Sequence, residues 1–256
     1  MSQITSVFKP GHKALIAYIT VGYPDIESTP KIASILADNG CDIIELGIPF
    51  SDPLADGATI QKASYHALQR GTTPQVCLDI ASQLRQKISV PLVFMTYYNP
   101  LLNFGLESFC QSCREAGING LIVPDLPPEE GAELENTTEK HDLDLIYLLA
   151  PTSTGERIDE VAARSRGFIY LVSLTGVTGA RDTLPAELED FVEQVRQKAK
   201  QPLCVGFGVS NPEQAKRVAR TADGVIVGSR LIQLVEEDAT LSSLKSFVSS
   251  LREALD

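Results

Sequence analysis

The sequence predicts an α/β protein in which eight parallel strands and their intervening helices close into a (β/α)8 barrel. Short β-branched runs alternate with longer amphipathic runs along the whole chain. The short runs are apolar at nearly every position, as strands are when helices cover one face and a packed interior the other. The length of 256 residues suits one such barrel, and no linker, low-complexity tract or shift in composition divides it, so residues 1–256 read as one domain. An open doubly wound sheet uses the same local signals. The first turn after a strand, TVGYPDIEST, lacks the G-x-G-x-x-G of a dinucleotide-binding version of that sheet.

Along the chain, Ile4 to Lys9 reads as a short helix closing the bottom of the barrel. The first strand is Ala14–Thr20, followed by a helical pattern over Thr29–Asn39; the second is Asp42–Gly47, followed by Thr59–Gln69 and Pro74–Lys87. Leu92–Tyr97 leads to a helix at Leu106–Ala116, Gly120–Val123 to one at Glu129–His141, and Leu145–Leu149 to one at Gly155–Ser165. Phe168–Val172 precedes a helix at Pro185–Lys200, Leu203–Gly206 one at Pro212–Arg220, and Gly224–Gly228 two more, Leu231–Glu237 and Leu241–Leu255. Two connections exceed the usual 2–6 residues: Ile48 to Ala58 after the second strand, and Ser173 to Leu184 after the sixth. Long loops at one end of a barrel are where lids and binding loops occur.

Composition excludes several function classes. A net charge of −11 with no basic stripe argues against a nucleic-acid partner. No apolar run reaches the ~18 residues of a membrane span, and the N-terminus lacks a signal peptide's apolar core, so a cytoplasmic setting is expected. The five cysteines, Cys41, Cys77, Cys110, Cys113 and Cys204, are odd in number and scattered, which fits reduced thiols. Cys110 and Cys113 form a C-x-x-C inside a helical pattern, without the second ligand pair a zinc site needs. The three histidines are far apart, so no metal site is expected.

The stretch IIELGIPFSDPLADG, residues 43–57, holds the first candidates for chemistry. With period 2, Ile43, Glu45 and Gly47 share one strand face. A carboxylate among aliphatics is costly to bury ionised, which raises its pKa toward the range of a group that both gives and takes a proton. The competing reading pairs Glu45 with a buried Arg or Lys. Asp52 and Asp56 lie in the following loop, where aspartates also serve as turn and cap residues. Asp125, in VPDLPPEE, reads equally as the entrance to a helix.

Glycines mark a second feature. GFGVSNPEQ follows the seventh strand and GVIVGSR carries the eighth, with Gly206, Phe207, Gly208, Gly228 and Ser229 at their ends; Gly176 and Gly179 lie in the loop after the sixth. Glycine lets backbone N–H groups approach an oxyanion, and barrels often hold phosphate with the loops after strands seven and eight. The pattern favours a phosphorylated substrate over simple turn glycines. Tyr18 and Tyr170 either line a pocket or fill the barrel. No lysine lies within or just after a strand, which argues against a Schiff base and leaves carboxylate acid–base catalysis.

ELGIPFSDPLADG, GVTGAR, GFGVSNPEQ and GVIVGS, in this order over essentially the whole chain, closely resemble the α subunit family of tryptophan synthase. The resemblance implies a TIM barrel that cleaves indole-3-glycerol phosphate to indole and glyceraldehyde 3-phosphate. It implies no cofactor in this chain, and a partner β subunit carrying pyridoxal phosphate in an α2β2 complex. It implies that Glu45 exchanges protons with indole C3 and the substrate hydroxyl, and that Asp56 holds the indole N–H. Gly179, Gly208, Gly228 and Ser229 then match phosphate positions. Tyr18, Tyr170 and Phe207 line the substrate, and Thr178 closes toward Asp56. Leu174 stands where some members have Arg, which leaves open how that loop is pinned. A stand-alone indole-3-glycerol phosphate lyase on the same scaffold is the alternative.

Overall fold

A computed structural model describes residues 2–172, 188–206 and 208–256. The chain enters through a 3-10 turn, Thr5–Val7, shorter than the helix expected over Ile4–Lys9. Ile4, fully buried, packs with Ala14, Ile16 and Phe168 inside the barrel and plugs its lower end. Ser2 Oγ donates to Asp144 Oδ2 at 2.5 Å, and Asn119 Nδ2 to Gln3 Oε1 at 2.9 Å, so the plug is pinned by polar bonds at its rim.

The ascending strands and their helices are β1 Ala14–Thr20, α1 Ser28–Asp38, β2 Ile43–Gly47, α2 Ala58–Gln69, α3 Pro74–Arg85, β3 Leu92–Met95, α4 Tyr98–Phe104, α5 Leu106–Glu115, β4 Gly120–Ile122 and α6 Ala132–Lys140. The fifth position holds two short pieces, β5 Asp144–Ile146 and β6 Leu148–Leu149, followed by α7 Gly155–Arg164. The remainder is β7 Ile169–Val172, α8 Leu188–Arg196, β8 Leu203–Gly206, α9 Pro212–Val218, β9 Gly224–Val227, α10 Ser229–Glu237 and α11 Ser242–Leu255.

All strand pairs are parallel, in the order β5-β4-β3-β2-β1-β9-β8-β7-β6. The two ends of that order are consecutive in sequence. Ile146 pairs with Ile122 on one side and, two residues on, Leu148 pairs with Tyr170 on the other, so one chain segment closes the barrel. The expected fifth strand, Leu145–Leu149, is therefore one strand position interrupted at Tyr147. There the main chain bonds toward the β7 side: the Tyr147 N–H donates to Ser165 Oγ, at the end of α7, and its carbonyl accepts from Tyr170 N of β7.

Alternation along the strands separates two apolar layers. Ile16, Ile43, Val93, Ile122, Ile146 and Ile226 face inward; Leu15, Ile44, Leu92, Leu121, Leu145 and Val225 face the helices. The helices bury one stripe each, as Ile32, Ala33 and Leu36 do on α1 and Leu244, Val248 and Leu251 on α11. Arg252 of α11 bonds Asp42 Oδ2 and the Lys13 carbonyl, each at 3.0 Å, tying the last helix to the foot of β1 and β2.

One helix was not expected. Tyr98–Phe104, between the expected third strand, Leu92–Tyr97, and the expected helix from Leu106, is α4. Pro100 is tolerated because it lies in the first turn, where its missing N–H needs no partner within the helix. The cap comes from afar: both carboxylate oxygens of Asp125 accept from Tyr98 N, at 2.9 and 3.2 Å. Asp125 thus ends one helix start rather than opening the next. The loop read from Ser173 to Leu184 lies outside the described residues.

Candidate active site

Glu45 projects into the barrel, in register with Tyr18 of β1 and Val93 of β3. It is 0% exposed, and neither carboxylate oxygen has a hydrogen-bond partner among the described residues. The alternative reading, a buried pair with Arg or Lys, finds no support there. Burial alone pushes its pKa up to about 8, because transfer from water penalises the charged form and no cation offsets that. At neutral pH the group is mostly a carboxylic acid, able to donate a proton and then to accept one.

Asp56 sits in the loop between β2 and α2 and is 9% exposed. That loop is a series of tight turns: Leu54 N donates to the Asp52 carbonyl at 3.0 Å and Asp56 N to the Pro53 carbonyl at 3.1 Å. Asp52 is exposed, accepts from Ser51 Oγ, and shapes the turn. Burial raises the Asp56 pKa to about 6, and a hydrogen bond from the Tyr97 phenol partly opposes the rise. Asp56 is therefore ionised at neutral pH while Glu45 is not: two carboxyls with pKa values driven apart by their surroundings.

The two acids share neighbours. The charges of Glu45 and Asp56 both bear on Tyr18 and on Tyr170, whose phenols burial already holds well above their ordinary range. Each tyrosine leans over a strand-end glycine. A Cβ on Gly47 would stand 2.1 Å from Tyr18 Oη, and one on Gly206 would stand 2.6 Å from Tyr170 Oη. Both glycines are therefore required for these rings to lie where they do.

At the last strands, Gly208 has φ +71°, a conformation that favours glycine. Gly228 precedes α10 and lies against Tyr18, its Cβ position 3.3 Å from that of Tyr18. Buried Ser229 opens the helix, so its first N–H groups and positive dipole end stand beside the same ring. Asn211 caps α9 by accepting from Gln214 N at 2.9 Å, and Gln214 Oε1 accepts from Ser210 N at 2.8 Å. Thr178, Gly179 and Phe207 fall outside the described residues.

Among the described residues no group of three or more His, Cys, Asp or Glu side chains is placed to hold a metal ion, and no helix is long and apolar enough to cross a membrane. All five cysteines are buried and free; Cys110 and Cys113 lie on the inner face of α5. One residue escaped the sequence reading. Tyr97 continues the inward alternation Val93, Met95, Tyr97, and that periodicity was the available signal. Its phenol accepts from Ala55 N at 3.0 Å and favours the ionised form of neighbouring Asp56, and its ring packs on Phe50 with centroids 5.2 Å apart.

Fold and site together define a (β/α)8-barrel protein with two buried carboxyl groups, Glu45 on β2 and Asp56 on the loop that follows it. The chain belongs to the tryptophan synthase alpha chain family, whose model matches residues 4–254. It is 59% identical over 256 residues to the tryptophan synthase alpha chain of Dehalococcoides mccartyi, covering 100% of both chains. It is 48% identical over 262 residues to that of Citrifermentans bemidjiense, covering 100% of this chain and 98% of the relative. Among solved structures, tryptophan synthase of Mycobacterium tuberculosis superposes with a TM-score of 0.94 at 38% identity, over 99% of this chain and 98% of that one. Subunit alpha from Legionella pneumophila gives 0.91 at 37%, over 100% and 99%.

Proposed function

We propose that this chain is the lyase subunit of a tryptophan synthase, cleaving indole-3-glycerol phosphate to indole and glyceraldehyde 3-phosphate in partnership with a β subunit. The observation that carries the mechanism is Glu45, buried on β2 with neither carboxylate oxygen partnered among the described residues, followed on the next loop by the largely buried Asp56; burial lifts their pKa values to about 8 and about 6. Glu45 gives its proton to indole C3, which makes the ring an electron-poor iminium. Asp56 accepts the indole N–H and stabilises that positive charge. Glu45, now a carboxylate, takes the proton of the hydroxyl on the adjacent side-chain carbon. That C–O bond becomes a carbonyl, the C–C bond to C3 breaks, and its electron pair restores the indole ring. The acid is regenerated, and no metal or Schiff base enters. Gly208, Gly228 and Ser229, with Gly179, hold the phosphate through backbone N–H groups and the N-terminus of α10. Tyr18 and Tyr170 enclose the indole; the roles that the family resemblance gives Phe207 and Thr178 fall on residues outside the described ones. Any pyridoxal phosphate belongs to the β subunit. Residues 1–256 act as one catalytic domain in the cytoplasm.

The test is release of indole from indole-3-glycerol phosphate by the purified chain, with and without β subunit. Turnover that rises on adding β subunit is expected, and loss of at least 100-fold with Glu45→Gln. Glu45→Gln activity within a few-fold of wild type would sink the mechanism. High turnover indifferent to β subunit would point to the stand-alone lyase.

A further inference from the structure

Asp56 is on a loop, and a loop carboxylate needs something fixed to aim it. The fixed element is the junction of β3 and α4. Tyr97 lies between them and is buried, 5% exposed. Its position is set from three sides. β3 runs into it with the main chain of Thr96 bonded to the Ile122 carbonyl of β4 at 3.0 Å. The α4 turn behind it is capped by Asp125 through Tyr98 N. In front, its ring packs on Phe50. From this base the phenol oxygen does two things at once. It accepts from the Ala55 N–H at 3.0 Å, fixing the loop main chain one residue before the acid, and its proton is left to point at the neighbouring Asp56 carboxylate, whose ionised form it favours. A phenol has one proton and two lone pairs, so these two roles are compatible and fix the direction of the donated proton toward Asp56. A carboxylate can accept at both oxygens, so one remains for a substrate donor.

We propose that Tyr97 is the positioning residue of Asp56: it holds one carboxylate oxygen and the adjoining main chain so that the other oxygen meets the substrate N–H. The proposal rests on the role given to Asp56 above. The ionisable groups facing Asp56 are Tyr97, Tyr18 of β1 and Tyr170 of β7, all neutral over the working range; Asp125 bears on Tyr97 from the loop after β4. With Tyr97→Phe the ring and its Phe50 contact stay, and the donor to the charged form of Asp56 goes.

The experiment is the pH profile of kcat/KM for indole release by the α subunit in complex with β subunit. Tyr97→Phe is compared with wild type, Asp56→Asn and the double variant. Tyr97→Phe is expected to lower kcat/KM about tenfold. Its acid limb should move above the wild-type position near pH 6, because Asp56 loses a bond that favours its ionised form. The double variant should be no worse than Asp56→Asn alone, since Tyr97 acts through Asp56. Unchanged activity and acid limb in Tyr97→Phe would overturn the proposal, as would additive losses in the double variant, which mark a merely structural role. If Asp56→Asn itself is within twofold of wild type, the reading of Asp56 fails instead. Should Tyr97→Phe not fold, Phe50→Leu takes its place: it leaves the phenol but strips its ring partner. A smaller loss with the acid limb displaced supports positioning, and full activity with an unmoved limb overturns it.

Discussion

The hydroxyl of Tyr18 occupies the space above Gly47: a Cβ there would stand 2.1 Å from it, far inside contact distance. Gly47 is the residue after which β2 gives way to the loop bearing Asp56, and Tyr18 is in register with Glu45. A methyl group at Gly47 therefore has to turn the Tyr18 ring out of its place beside the acid. Gly47→Ala is expected to keep the barrel, judged by circular dichroism, and to lower kcat/KM for indole release at least tenfold. Wild-type activity in this variant would show that the ring's placement does not matter.

Glu45 and Asp56 set a pH window. In the proposed mechanism Glu45 serves as the proton donor only below its pKa of about 8, and Asp56 accepts a donor only above its pKa of about 6. kcat/KM should therefore follow a bell with limbs near these values. Asp56→Asn should remove the acid limb along with most of the activity, leaving the basic limb in place. A steady rise through pH 9 would contradict the assignment of Glu45 as the acid.

Burying Glu45 with no partner among the described residues also costs stability, with a definite sign. Its folded pKa lies above the unfolded value of 4.5, so the folded state binds more protons between pH 4.5 and 8. Stability contributed by this group is complete below pH 4.5 and declines as pH rises through 8, by up to roughly 1.4 kcal/mol per unit. Glu45→Gln does not ionise, so its denaturation midpoint relative to wild type should climb from pH 5 to 8 and then level off. A pH-independent difference would mean that Glu45 is paired.

Asp125 supports α4 from the loop after β4, and its removal should be felt as a lost helix cap. Asp125→Ala is expected to cost about 1 kcal/mol in urea denaturation. It should also lower activity a few-fold, since the freed helix start is where Tyr97 is anchored. A variant as stable as wild type would show that water replaces the carboxylate without penalty.

The pattern of strands was open to reading because each is covered on both faces, so β-branched runs stood out against amphipathic helices. Period 2 on β2 put Glu45 on one face with Ile43 and Gly47, and the fold shows that face to be the inward one. What escaped depended on partners distant in sequence. α4 takes its cap from a residue 27 positions away, and its opening Tyr-Tyr-Asn-Pro reads locally as strand and turn. The break at Tyr147 comes from the need of one segment to bond two different neighbours. Tyr97 stood only as the last residue of the expected third strand and had no local mark of its link to Asp56, which only the folded loop brings to it.

Ile4, driven into the foot of the barrel and pinned by Ser2 and Gln3, fills the barrel's lower end with hydrocarbon. Glu45, on the same inward strand face as Ile43, is itself out of solvent's reach. In the proposed mechanism, the proton given to the ring and the proton taken from the hydroxyl would pass between Glu45 and the substrate without a solvent intermediary. A stopper built from the first few residues of the chain would thus help, from the opposite end of the molecule, to keep that exchange dry.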